Sequence, residues 1–170
     1  LAVMPYTSGT TGRPKGCMHT HGSVLSTSTM ACFWRSASSE GVTLGVLPLF
    51  HVTGMQANMN TPAQLGATTV LMSRWDREAA AMMIERARVT NFTGITAMMV
   101  DFLANPNLQK YYLSSLDSVG GGGAAMPESV ARRLQEAIGL PFIEGYGLTE
   151  TMAPSHVNPT DRPKKQCAGI

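Results

Sequence analysis

A chain of 170 residues, 44% of them hydrophobic and 14% charged, can bury the core of one domain yet carries less charge than the roughly one quarter usual for soluble proteins. Its net charge of +2 excludes the strongly basic surface that nucleic acid or an anionic membrane would require. Cys17, Cys32 and Cys167 form no CxxC pair, no apolar stretch approaches a membrane span, and no basic-then-apolar leader opens the chain, which fits a reduced, cytoplasmic protein.

The elements follow one another in a simple alternation. Residues 2–6 are apolar and predict a strand, followed by a helix over 22–36 and a strand over 42–47. A helix is expected over 55–65 and a strand over 68–72. Asp76 reads as an N-cap, with Ala80, Met83, Ile84 and Ala87 behind it at helical spacing. A strand over 91–95, a helix over 97–103 and a strand over 115–119 come next. Pro127 suits a first helical turn; Val130, Leu134, Ala137 and Ile138 share a face; Gly139 ends that helix ahead of a strand over 141–144. Strands alternating with helices imply an α/β fold, a mostly parallel sheet with flanking helices. Ligands in such sheets bind in loops at the carboxyl ends of strands, where the glycine-rich segments after Tyr6, Val119 and Glu144 would lie.

The first of these segments is YTSGTTGRPKG, residues 6–16. It lacks the Gly-Lys-Ser/Thr of a Walker A loop. Its glycines nevertheless let backbone N–H groups face an anion, Thr7, Ser8, Thr10 and Thr11 offer hydroxyls, and Lys15 offers a mobile cation. The other reading is a Gly/Ser/Thr linker. The second segment, GGGGAAMP over 120–127, presents almost bare backbone against which a flat ring could lie, or else forms a loose loop. In the third, GYGLTET over 145–151, Tyr146 can expose a ring face, Thr149 can donate to phosphate and Glu150 can hold Mg²⁺; a plain glycine turn is the alternative.

In this order and spacing the three segments resemble the adenylate-forming superfamily, which includes acyl- and aryl-CoA synthetases, firefly-type luciferases and the adenylation domains of peptide synthetases. The resemblance covers essentially the whole chain. It implies formation of an acyl-adenylate from a carboxylic acid and MgATP, with release of pyrophosphate and transfer to a thiol such as coenzyme A. It also implies a phosphate loop made of Thr7, Ser8, Gly9, Thr10, Thr11, Gly12 and Lys15. Gly122, Gly123 and Ala124 would wall the adenine, and Tyr146, between Gly145 and Gly147, would stack on it. Thr149 would contact the α-phosphate and Glu150 would bind the magnesium.

LPLFHVTG, residues 47–54, resembles a further motif of the superfamily. Members that activate amino acids carry aspartate after the Phe; here His51 stands there, which argues for an acid without an ammonium group. Leu148, where peptide synthetases often have proline, points the same way, and Asn158-Pro159 is similar to fatty acyl members. Ile95-Thr96-Ala97 departs from the usual Val-Pro-Thr and leaves the shape of the acyl pocket open. Among the 12 methionines, Met98, Met99 and Met126 could line such a pocket or fill the core. His19-Thr20-His21 offers two imidazoles with no third ligand nearby, so a structural role is expected, and Pro163-Lys164-Lys165 reads as a solvated turn.

Leu1 at the first position, together with the absence of the superfamily's ribose-binding aspartate and its C-terminal adenylating lysine, leads us to expect part of the N-terminal domain of a longer enzyme. Alone, residues 1–170 would be inactive and would self-associate through surface meant to be covered. A domain loading a carrier protein, or a non-catalytic nucleotide-binding module, are the alternatives.

Overall fold

The computed structural model describes residues 1–7, 12–35 and 37–169. In chain order these form α1 (His21–Trp34), β1 (Val42–Gly45), α2 (Val52–Gly54), a π-helical turn (Met55–Asn60), α3 (Thr61–Leu65), β2 (Thr68–Leu71), α4 (Arg77–Ala87), β3 (Asn91–Ile95), α5 (Thr96–Leu103), β4 (Ser118–Gly122), α6 (Glu128–Ile138), β5 (Phe142–Tyr146) and β6 (His156–Val157). The strands make one sheet in the order β2-β1-β3-β4-β5-β6. All neighbours run parallel except β6, which is antiparallel to β5. The chain is therefore α/β with a mostly parallel sheet, as expected.

Local signals place the helices on the outer faces. Asp76 caps α4 by accepting from the Ala79 N–H at 2.7 Å, and Gly139 closes α6 with a left-handed φ of 78°. Alternate residues of a strand face opposite sides of the sheet. Phe92 of β3 packs with Ala80, Ala81 and Ile84 of α4, Met99 and Phe102 of α5 and Leu134 of α6 in the main core. Thr93, the next residue, turns to the other side, where its hydroxyl accepts from the Arg35 guanidinium at the end of α1. There Gln56 donates to the Val24 carbonyl at 3.0 Å and Ser28 donates to Gln64 at 2.6 Å, tying α1 to the helical run over 52–65. Gly54 allows that run to sit close, since a Cβ there would overlap the Pro48 carbonyl.

Three expectations need correction. Residues 2–6 do not join the sheet. Val3 and Tyr6 instead make isolated antiparallel bridges to His19 and Gly16, so residues 2–7 and 15–19 are the two arms of a hairpin. Pro5, which has no N–H, contributes only its carbonyl, accepting from Cys17 at 2.8 Å. The strand expected over 115–119 lies instead at Ser118–Gly122, because pairing with every residue of β3 outweighs the poor strand propensity of glycine. The last strand likewise extends to Tyr146, and β6 was not foreseen.

Candidate functional site

The first and third segments are drawn together by a small apolar cluster set apart from the main core. Val52, Met152 and Ala153 are buried against one another, with Val3, Val24 and Met55 packed around them. These six side chains come from the hairpin, α1, the helical run and the turn after GYGLTE. Burial of that shared surface draws residues from both ends of the sequence to one edge of the molecule.

On the hairpin, the arms are clasped just below the tip. The Thr7 N–H donates to the Lys15 carbonyl at 2.9 Å, and the Lys15 N–H donates to the Thr7 hydroxyl at 3.3 Å. Gly12 and Lys15 are exposed. Ser8, Gly9, Thr10 and Thr11, which the sequence assigns to the same loop, lie outside the described residues.

The second and third segments meet at the carboxyl ends of adjacent strands. Register pairs Gly120 with Ile143 and Gly121 with Glu144, which brings Gly122 beside Gly145. The glycines serve this pairing as well as leaving the surface bare. A Cβ on Gly121 would overlap the Gly94 carbonyl oxygen, and one on Gly122 the Gly145 carbonyl oxygen. Gly123 follows with φ of 85°, a conformation that disfavours other residues. The Ala124 carbonyl accepts from the Thr96 hydroxyl at 3.2 Å, so the segment is anchored rather than loose. Next to these exposed positions the Tyr146 ring is 48% exposed, tilted against His156 with ring centroids 6.2 Å apart. Gly147 packs so closely on Ala153 that a Cβ would meet it at 2.7 Å. The result is an open shelf with an aromatic edge.

Beyond the shelf, Thr149–Thr151 form a 3₁₀ turn. The Leu148 N–H donates to the Thr151 hydroxyl at 3.0 Å, so the turn is closed by its own side chain. Glu150 is exposed, and the ion pairs among the described residues join Arg77 to Asp101, Arg162 to Asp161 and Lys165 to Glu128. Lys15 and Glu150 are thus both uncommitted among the described residues. No group of three or more His, Cys, Asp or Glu gathers around a common point among them. A single outward carboxylate suits Mg²⁺, which keeps several waters and takes its other ligands from substrate phosphates.

His51 is exposed and caps α2, its Nδ1 accepting from the Thr53 N–H at 3.2 Å; Val52, the next residue, belongs to the apolar cluster beneath the site. The ring is therefore held at the rim rather than packed inside. Met99 and Met126 are core residues, whereas Met98 is partly buried against that core.

Two residues were not assigned by sequence. His19, weighed only as half of an HxH pair, is buried, and its Nε2 donates to the Thr149 carbonyl at 2.8 Å. Glu144 is buried in β5, where its carboxylate accepts from the Met126 and Gln166 N–H groups, each at 2.8 Å. A carboxylate inside an apolar strand is the signal that could have flagged it. Asn158, read together with Pro159 as a likeness to fatty acyl members, is buried and donates to the Glu144 carbonyl. A cavity of about 300 Å³ beside Glu144, between α6 and residues 163–166, is lined by none of the residues expected to hold nucleotide or magnesium, although Met126, weighed for an acyl pocket, borders it.

The chain matches the AMP-binding enzyme family model over residues 1–170. It is 38% identical over 160 residues to a long-chain-fatty-acid–CoA ligase of Bacillus subtilis, covering 93% of this chain and 29% of the relative. It is 36% identical over 162 residues to an indoleacetate–CoA ligase of Aromatoleum aromaticum, covering 94% and 31%. The solved O-succinylbenzoate coenzyme A synthetase of Bacillus subtilis, in complex with ATP and magnesium ion, superposes with a TM-score of 0.87 at 28% identity, over 98% of this chain and 34% of that one. The chain thus spans about a third of the length of these relatives. On its motifs, its fold and these matches, the chain belongs to the family of AMP-binding, adenylate-forming enzymes.

Proposed function

We propose that this chain is the nucleotide-holding part of the N-terminal domain of a longer acid–CoA ligase, and that the acid is a fatty acid. The observation that carries the reading is the convergence of the hairpin, the Gly122–Ala124 shelf with Tyr146, and the Thr149–Glu150 turn at one edge of the sheet. Names of relatives that ligate acids to CoA support the acceptor, and His51 in place of an aspartate supports an acid without an ammonium group.

In this reading, a carboxylate oxygen attacks the α-phosphorus of ATP, the α–β phosphoanhydride bond breaks, and pyrophosphate leaves with the bonding electrons. The thiol of CoA then displaces AMP from the acyl-adenylate. Tyr146 and the bare backbone at Gly122–Ala124 hold the adenine. Lys15 and the hydroxyls of the hairpin tip receive the β- and γ-phosphates, and Thr149 donates to the α-phosphate where charge builds up. Glu150 would hold Mg²⁺, which when bound would supply neutralisation of phosphate charge. No covalent protein nucleophile is needed, because alignment and charge neutralisation lower this barrier.

The test is a panel of fatty, aryl and amino acids given to the full-length protein with MgATP and CoA. Acid-dependent pyrophosphate release and a CoA thioester with fatty acids are expected, while residues 1–170 alone stay at background. Release without thioester would redirect the reading to a carrier protein as acceptor. ATP binding with no release for any acid would leave a nucleotide-binding module.

A further inference from the structure

We propose that His19 is a positioning residue that sets the Thr149–Glu150 peptide against the phosphate-loop hairpin, an inference that rests on the adenylation reading above. The backbone of His19 is locked in the hairpin on both sides. Its carbonyl accepts from the Ala2 N–H at 2.7 Å, and its N–H donates to the Val3 carbonyl at 3.0 Å. Lys15 lies four residues earlier on the same arm. The imidazole is only 6% exposed and reaches across to the Thr149 carbonyl at 2.8 Å.

That carbonyl belongs to the peptide joining Thr149 to Glu150, the residues assigned to the α-phosphate and the magnesium. Because a carbonyl only accepts, Nε2 must carry the proton, which leaves Nδ1 facing the Ser23 hydroxyl at 3.5 Å. Within the turn the same carbonyl has one further partner, the Met152 N–H at 3.3 Å. Among the described residues, no other hydrogen bond joins segment 2–20 to segment 145–153. The apolar cluster fixes how close the two segments lie, but apolar contact is non-directional and leaves rotation of the turn free. The imidazole supplies the missing directional restraint. Small misplacements of catalytic groups cost up to about 100-fold in rate, so a restraint of this kind acts on turnover more than on binding.

The experiment uses the full-length protein and acid-dependent ATP–pyrophosphate exchange, with a melting temperature for every variant. His19→Leu fills the space without a donor and is expected to lower kcat about tenfold or more, with the KM values for ATP and acid changed less than about threefold. His19→Gln, whose amide can donate from a similar place, should recover most of the rate. Ile84→Val thins the main core away from both segments and should lower the melting temperature while kcat holds. Wild-type kcat in His19→Leu, or an equal kcat loss in Ile84→Val at equal melting temperature, overturns the proposal. If His19→Leu does not fold, His19→Asn, too short to reach, takes its place, and kcat equal to that of His19→Gln overturns it. A wild type with no acid-dependent exchange removes the adenylation reading together with this inference; an active wild type with an unaffected His19→Leu removes this inference alone.

Discussion

At the scale of single residues, side chains with potential chemistry stand out less by their own environment than by what their neighbours leave them free to do. Glu150 illustrates this. It is exposed on a turn closed by Thr151, and no cation among the described residues pairs with it. A carboxylate kept free for a metal should therefore be removable at little cost in stability. Glu150→Gln in the full-length protein is expected to raise the Mg²⁺ concentration for half-maximal pyrophosphate release by at least about tenfold, with an unchanged melting temperature. An unaltered magnesium requirement would remove Glu150 from the metal site. Glu144, six residues earlier, is the contrast: each of its carboxylate oxygens accepts from a backbone N–H group, so it organises the chain.

At the scale of elements, α4 is joined to the segment after α5 by polar contacts that respond to pH. The Tyr111 hydroxyl donates to Glu78 at 2.6 Å, and the Asn107 amide donates to the same oxygen at 3.3 Å. The Tyr111 hydrogen bond, the largest cause, holds the Glu78 carboxyl below its ordinary value. A depressed folded-state value means that the stabilisation is complete above the unfolded value of about 4.3 and fades as pH falls through the lower folded one. Glu78→Gln should lower the melting temperature more at pH 7 than at pH 3, and an equal loss at both would show that the charge contributes nothing.

Elements with local causes were legible from sequence. The Asp76 cap, the α4 stripe and the Gly139 stop each depend on residues within one or two turns, and each stands where it was expected. What could not be read depended on distant partners. Gly120–Gly122 form a strand only because β3 and β5 flank them, and residues 2–6 stand outside the sheet, where residues 15–19 pair with them instead. The candidate site divides in the same way. Lys15, Tyr146, Thr149 and Glu150 are recognisable within short motifs, whereas His19 acquires its meaning from a carbonyl 130 positions away.

At the scale of the whole molecule, several large apolar side chains face outward. Phe50 is 84% exposed, Phe33 80%, Tyr112 79% and Met18 78%. The low share of charged residues anticipated such surface, and relatives about three times as long have ample chain to cover it. Residues 1–170 alone are expected to self-associate in a concentration-dependent way by light scattering, and a monomer at high concentration would count against this.

The hydrogen bond between His19 and Thr149 has a consequence for the order of assembly. It closes a loop of 130 residues, and the apolar cluster beneath it likewise joins Val3 to Met152. Loop-closure entropy disfavours such contacts until the intervening chain is compact. The helices and the pairings of β3 with β4 and of β4 with β5 involve far shorter separations, so they can form before the two ends meet. On the adenylation reading proposed above, the nucleotide site would thus assemble late in folding, and a bound nucleotide would report that the two ends have met.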